Sequence, residues 1–148
     1  YQRSRGLGDV YKRQFNIKLL NTRWSWSGIS DDKKHVASTI WTDECKWNKE
    51  KRIYFTEVTE EWNYNWKSDK GNLERIKHFK HCIKELDSMF WVVFVKPKEI
   101  IFDEPREAEN HSPYTSMMFK LTSFREDTGM FTSESIPETM GKYKETFQ

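Results

Sequence analysis

Seven consecutive apolar residues, MFWVVFV (Met89–Val95), constrain the fold of this chain more than any other stretch. On a strand, successive side chains point to opposite faces. Phe90, Val92 and Phe94 then lie against one layer, and Trp91, Val93 and Val95 against another. A strand that is apolar on both faces belongs in the middle of a sheet. The run is also the longest of its kind, far short of the ~20 apolar residues a membrane-crossing helix needs. A soluble chain with no membrane partner is therefore expected.

The rest of the chain supplies the neighbours of that strand. FNIKLLNTRWSWSGI (15–29) reads as extended, with Trp24, Trp26 and Gly28 on one alternation. SDDKKH (30–35) is a turn, and VASTIWTDE (36–44) is rich in β-branched residues, so the two runs predict a hairpin. After the polar connector CKWNKEK, RIYFTEV (52–58) is a third strand. SMMFKLTSF (116–124) and MFTSESI (130–136) flank REDTG as a second hairpin, following the polar connector FDEPREAENHSPY (102–114). NLERIKHFKHCIKELD (72–87) is the main helix, with Asn72 as N-cap and Leu73, Ile76, Phe79, Ile83 and Leu86 at helical spacing. The prediction is an α+β fold with five or six strands, mainly antiparallel. They form a curled sheet or a small barrel around that one helix. A single domain over residues 15–136 and a frayed tail over 137–148 follow.

Charged residues make up 32% of the chain and hydrophobic ones only 36%, so the core must rely on large side chains. Seven tryptophans, ten phenylalanines and six tyrosines supply them, each aromatic burying ~150–250 Å². Cys45 and Cys82 stand far apart and make no disulfide framework, which points to a reducing cytoplasm.

The opening, YQRSRGLGDVYKRQ, differs in character. Four basic residues against one acid give it +3, whereas the chain as a whole is formally +2, leaving −1 for Phe15–Gln148. A basic balance invites a nucleic-acid reading, yet here the excess lies wholly in these fourteen residues. DVYKRQ resembles translated sequencing-adapter read-through at the end of a metagenomic reading frame, so residues 1–14 are expected to be a non-native tail without an apolar face. Such scars are left out of fold reasoning.

Four constellations are candidates for chemistry. In EWNYNWKSDKG (61–71), Trp62, Tyr64 and Trp66 alternate with asparagines, so an extended backbone would put three rings on one face. Rings so placed can stack on bases at ~1–3 kcal/mol each; the alternative is that they plug one end of the core. In RWSWSG (23–28), Arg23 beside Trp24 and Trp26 would form the wall of a pocket for a flat polar ligand, with the serines on the wet face. The simpler reading buries at least one of the two rings. On the helix, Glu74, His78, His81 and Cys82 share a face, but without CxxC or HExxH a solvated helix face is the simpler account and no metal is assigned. Asp31 and Asp32, followed by Glu44–Cys45–Lys46, resemble the acid and E-x-K of PD-(D/E)xK nucleases. In a hairpin, however, Asp32 sits at the turn and Glu44 ~30 Å along the returning strand, too far to share a Mg²⁺. No glycine-rich phosphate loop or G-x-S-x-G is present. Hence no catalytic residue and no cofactor is expected.

NTRWSWSGISDD, then IWTDE, DKGNLERIKHFKHC, MFWVVFV and DEPRE together resemble a group of small, mostly uncharacterised bacterial proteins found in restriction and mobile-element neighbourhoods. The likeness spans roughly Asn21–Arg106 and rests on aromatic strand spacing, so it implies no catalytic residue. The architecture is also similar to small readers of modified bases of the PUA, EVE and SRA type, although a shared fold does not carry a function. The expectation is a non-enzymatic binding module with an aromatic pocket for a nucleobase in DNA or RNA. Its ligand residues would be Arg23, Trp24, Trp26, Trp62, Tyr64 and Trp66, with backbone contacts from a local basic patch (Lys77, Lys80 and Lys84, or Lys96 and Lys98). The alternatives are a protein-interaction domain without a small-ligand pocket and, lower in order, a metal-dependent nuclease.

Overall fold

The computed structural model describes residues 3–58, 69–98 and 108–148, with side chains described from Gly6 onward. Three helices, α1 (Arg3–Phe15), α2 (Lys70–Glu85) and α3 (Lys142–Phe147), flank a seven-stranded sheet. The strands are β1 (Ser27–Ile29), β2 (Val36–Trp41), β3 (Cys45–Asn48), β4 (Ile53–Val58), β5 (Met89–Pro97), β6 (Ala108–Phe124) and β7 (Phe131–Ile136). Their order is β1-β2-β5-β6-β7-β4-β3. Pairing is antiparallel except between β2 and β5, which run parallel.

The α+β class is as expected, and of the two forms left open the sheet takes the open one. Among the described residues it has seven strands rather than five or six, and one parallel pairing makes a mainly antiparallel sheet mixed. The extra strand is β3, from the stretch read as a polar connector. Cys45 and Trp47 pair with Thr56 and Tyr54 of β4 in a tight hairpin, so cross-strand pairing overrides the polar composition. Conversely, most of the predicted 15–29 strand is not extended into the sheet: Phe15 ends α1, residues 16–26 are irregular, and only Ser27–Ile29 joins. Ala108–Tyr114, predicted as part of a connector, begins the seventeen-residue β6.

The strand MFWVVFV is interior, as its composition requires. Phe90 and Val92 join Phe79 and Cys82 of α2, with Val36, Ile40, Val58, Phe119, Leu121 and Phe131. Trp91 and Val93 face the opposite layer, with Phe15, Ile17, Leu19, Met118 and Tyr143. A large bulge interrupts β6 here: Phe90 pairs with Phe119 but Val92 with Tyr114, so four residues of β6 face one of β5. Such bulges bend a strand and re-aim its side chains.

Both ends of the chain also depart from expectation. Residues 1–14 do carry an apolar stripe. Leu7 and Tyr11, one helical turn apart on α1, are fully buried against Phe15, Ala37 and Trp91. The C-terminal residues do not fray. Pro137–Thr139 make a 3-10 turn, and α3 sets Tyr143 and Phe147 edge-on to Trp91 while the Tyr143 hydroxyl donates to the Gln14 carbonyl at 2.7 Å. A helix packs by its apolar stripe whatever its origin, so the likeness of DVYKRQ to adapter sequence stands beside this packing. Among the described residues, no helix is long and apolar enough to cross a membrane.

Candidate functional site

Helix α2 lies where it was predicted, but its buried face is rotated. Leu73 and Ile83, assigned to the core by their spacing, are 49% and 46% exposed. The inward stripe is Gly71, Asn72, Arg75, Phe79 and Cys82. Asn72 is inside the helix rather than at its cap, and its amide donates to the Thr128 carbonyl at 3.0 Å. Asp69 holds the N-cap position. The N-terminal half of α2 therefore presents polar groups to the sheet, and β1 and β2 answer with polar groups of their own.

Those groups come from RWSWSG, turned opposite to expectation. Ser25 and Ser27 are buried, at 2% and 0% exposure, while Trp24 and Trp26 are half-buried and Arg23 is exposed. The reason is local bonding. Ser27 Oγ is hydrogen bonded to His78 Nδ1 at 2.7 Å. Ser25 Oγ accepts from the Asn21 amide at 3.1 Å and bonds the Glu74 carboxyl. The Trp26 carbonyl accepts from the Thr39 amide at 2.8 Å, the Thr39 hydroxyl at 3.0 Å and the Tyr11 hydroxyl at 3.0 Å. Buried polar groups demand partners, and these partners fix which way the segment faces.

Arg75 reaches under this segment. Its guanidinium lies 5.0 Å from the ring centres of both Trp26 and Phe131 and donates to the Thr39 carbonyl at 3.5 Å. Planar guanidinium stacks well on aromatic faces. Gly71 allows the close approach, since a Cβ there would collide with the Trp26 ring and the Trp24 carbonyl. Lys70 places its ammonium 5.9 Å over the Trp24 ring. The outcome is a partly buried Trp24–Trp26 pair, with Lys70 over the Trp24 ring and Arg75 bracing Trp26 against the core. Of the expected site residues, Arg23 is exposed and Trp24 and Trp26 are partly buried; Trp62, Tyr64 and Trp66 lie outside the described residues.

Burial sets the protonation states. It pushes His78 down to about 4 and holds Glu74 above the ordinary carboxylate range. His78 is therefore neutral at pH 7. Ser27 is closed to solvent, so the Ser27–His78 pair ties β1 to α2 rather than presenting a nucleophile. The remaining helix candidates go elsewhere: His81 Nε2 donates to the Lys33 carbonyl at 2.8 Å, and the Cys82 thiol, raised to about 12 by burial, donates to the Met89 carbonyl. Among the described residues, no three His, Cys, Asp or Glu side chains gather to hold a metal ion. Asp32 accepts from Ser30 and the Lys34 amide at the β1–β2 turn, whereas Glu44 accepts from the Trp41 amide beyond the far end of β2. The six residues of β2 separate them, some ~20 Å of strand.

A second aromatic surface escaped the sequence reading, because its key residue sat in the supposed connector. Trp47 of β3 and Tyr54 of β4 are exposed and touch at 4.8 Å between ring centres. Tyr54 meets Tyr114 at 6.4 Å, and Tyr114 meets Phe94 and Phe119 at 5.6 and 5.8 Å. The β6 bulge is what brings Tyr114 into this row. The legible signal was alternation on both sides of a turn: Trp47 and Tyr54 flank NKEKR at positions that pair across a hairpin. No family model, curated protein or solved structure matches the chain.

Proposed function

We propose that this protein is a non-enzymatic binding module. It takes a flat, polar ring, in the first instance a nucleobase of DNA or RNA, on the Trp24–Trp26 surface. One observation carries the reading: two serines are buried while the two tryptophans beside them are only partly so. Tryptophan gains far more than serine from leaving water. A segment folded the other way round keeps part of each ring at the surface, where a base would stack. Arg23 would supply forked hydrogen bonds to the edge of the base, and Trp62, Tyr64 and Trp66 remain candidates for the opposite wall. The −1 charge of Phe15–Gln148 favours recognition of a base over a broad grip on phosphates. Likeness to proteins of restriction neighbourhoods puts modified bases among the ligands to try. Two free cysteines accord with a reducing, cytoplasmic setting.

Titration with short single- and double-stranded DNA and RNA, plain and base-modified, followed by tryptophan fluorescence, tests the reading. Saturable quenching that persists at physiological salt, depends on the base and weakens about tenfold in Trp24→Ala supports it, a stacked base being worth ~1–3 kcal/mol. Quenching that vanishes with salt, or is indifferent to Trp24, overturns it and leaves a protein-interaction domain as the better account.

A further inference from the structure

The β3–β4 hairpin lies at the edge of the sheet opposite β1. Along Cys45–Tyr54 it carries Lys46, Lys49, Lys51 and Arg52 against Glu50 alone, a local charge of +3. Since Phe15–Gln148 totals −1, the remainder of that span is −4. Positive charge is therefore concentrated on ten residues of an otherwise acidic body. Those residues include the exposed pair Trp47 and Tyr54, and all four cations are exposed.

The hairpin is also preorganised. Asn48 Oδ1 accepts from the Glu50 and Lys51 amides at 3.0 Å each, and the Arg52 amide donates to the Asn48 carbonyl at 2.8 Å. Arg52 takes a left-handed backbone, φ 56°, to close the turn. Lys51 meets Glu134 at 3.7 Å, with its side chain 64% exposed. A surface pair of that kind holds a cation only weakly, so Lys51 stays available to a ligand.

From this geometry we infer a second binding surface, on which the β3–β4 hairpin docks a single-stranded polynucleotide. Trp47 and Tyr54 stack on bases, while Lys49, Lys51 and Arg52 neutralise the backbone. Cations interleaved with exposed rings on a fixed turn are the two components of single-strand binding, an electrostatic track and a stacking platform. The surface stands on its own residues and does not depend on Trp24 or Trp26. Six inter-strand steps separate the two edges, ~29 Å at ~4.8 Å per step, so one strand of several nucleotides can reach both.

The test uses the full chain, so that the charge of residues 1–14 is common to every variant. Affinity for a twelve-nucleotide oligothymidylate and an oligouridylate is measured by anisotropy from low to physiological salt. Replacing Lys49, Lys51 and Arg52 by Gln should flatten the slope of log K against log salt by about 2, since each phosphate neutralised on a single strand accounts for ~0.7 of slope. Trp47→Ala should weaken binding about tenfold with the slope retained. Trp24→Ala serves as the other arm. If it alone weakens binding while the hairpin variants do nothing, the hairpin inference fails and the Trp24–Trp26 reading survives; the reverse pattern sinks that reading and supports the hairpin. Undiminished binding in the triple variant overturns the inference. So does displacement by a polyglutamate peptide with no dependence on Trp47, which would mark a patch for acidic proteins. The substituted hairpin positions are all exposed, and unchanged circular dichroism and melting confirm that each variant is folded.

Discussion

His78 shows how one side chain in this molecule couples packing to pH. Its folded value of about 4 lies below the ordinary 6.5, because burial disfavours the imidazolium. The unfolded chain then binds more protons between those values, so stability is full above pH 6.5 and falls as pH drops towards 4. At ~1.4 kcal/mol per unit the loss is about 3 kcal/mol. Glu74, held above its ordinary value by burial, acts in the opposite sense: its contribution is present at low pH and lost as pH rises through its folded value. Urea unfolding at pH 4, 5 and 7 should show the acid loss, and His78→Gln should flatten it. Arg75→Ala removes two ring contacts and a charge-assisted hydrogen bond, at ~0.5–2 kcal/mol for each ring contact and ~1.5–3 for the bond. It should lower stability by about 3 kcal/mol on the same measurement. Gly71→Ala, whose Cβ has no room beside Trp26, should cost ~1–3 kcal/mol by overpacking and blue-shift or broaden the tryptophan emission. Glu74 and His78 stood out in the sequence only as possible metal ligands, and Gly71 and Arg75 did not stand out at all. Asn72 read as an N-cap and Arg75 as a wet type, and only the Thr128 carbonyl and the Trp26–Phe131 sandwich make them interior.

Elements were legible where periodicity and composition agreed. The apolar run of β5, the turn-flanked β-branched run of β2 and the helical spacing of α2 were sufficient to place all three. What spacing could not supply was the rotation of α2 about its axis. Apolar residues lie on both sides of the buried stripe, and partners on β1 and β2 decide between them. A matched pair of substitutions makes the point measurable: Phe79→Ala should cost ~3–5 kcal/mol as a cavity in the core, whereas Leu73→Lys should change stability by less than ~0.5 kcal/mol. A cost at Leu73 equal to that at Phe79 would restore the sequence-derived face. β3 was missed for a related reason, since a four-residue edge strand with exposed lysine and asparagine has no composition of its own. Its pairing with Tyr54 and Thr56 defines it, and that information is cross-strand rather than local.

For the molecule as a whole, the two core layers differ in their dependence on residues 1–14. Among the described residues, the cluster between sheet and α2 holds no side chain of residues 6–14, whereas the opposite cluster takes Leu7 and Tyr11. A chain beginning at Phe15 should therefore keep the sheet and α2, with β-rich circular dichroism and a cooperative but lower melting transition. Loss of cooperative unfolding would make α1 indispensable. The parallel pairing of β2 with β5 has a consequence of a different kind. Ala37 lies beside Trp91 and Trp41 beside Val95, so this contact closes a loop of more than fifty residues. Closure entropy of that size delays a contact, and folds dominated by distant pairings form slowly. During synthesis, β2 can pair with β1 at once but must wait for Met89–Pro97 to leave the ribosome before it gains its second neighbour. Meanwhile the β3–β4 hairpin, like the β1–β2 pair, can already close, so in a nascent chain both edges of the sheet take shape before its middle.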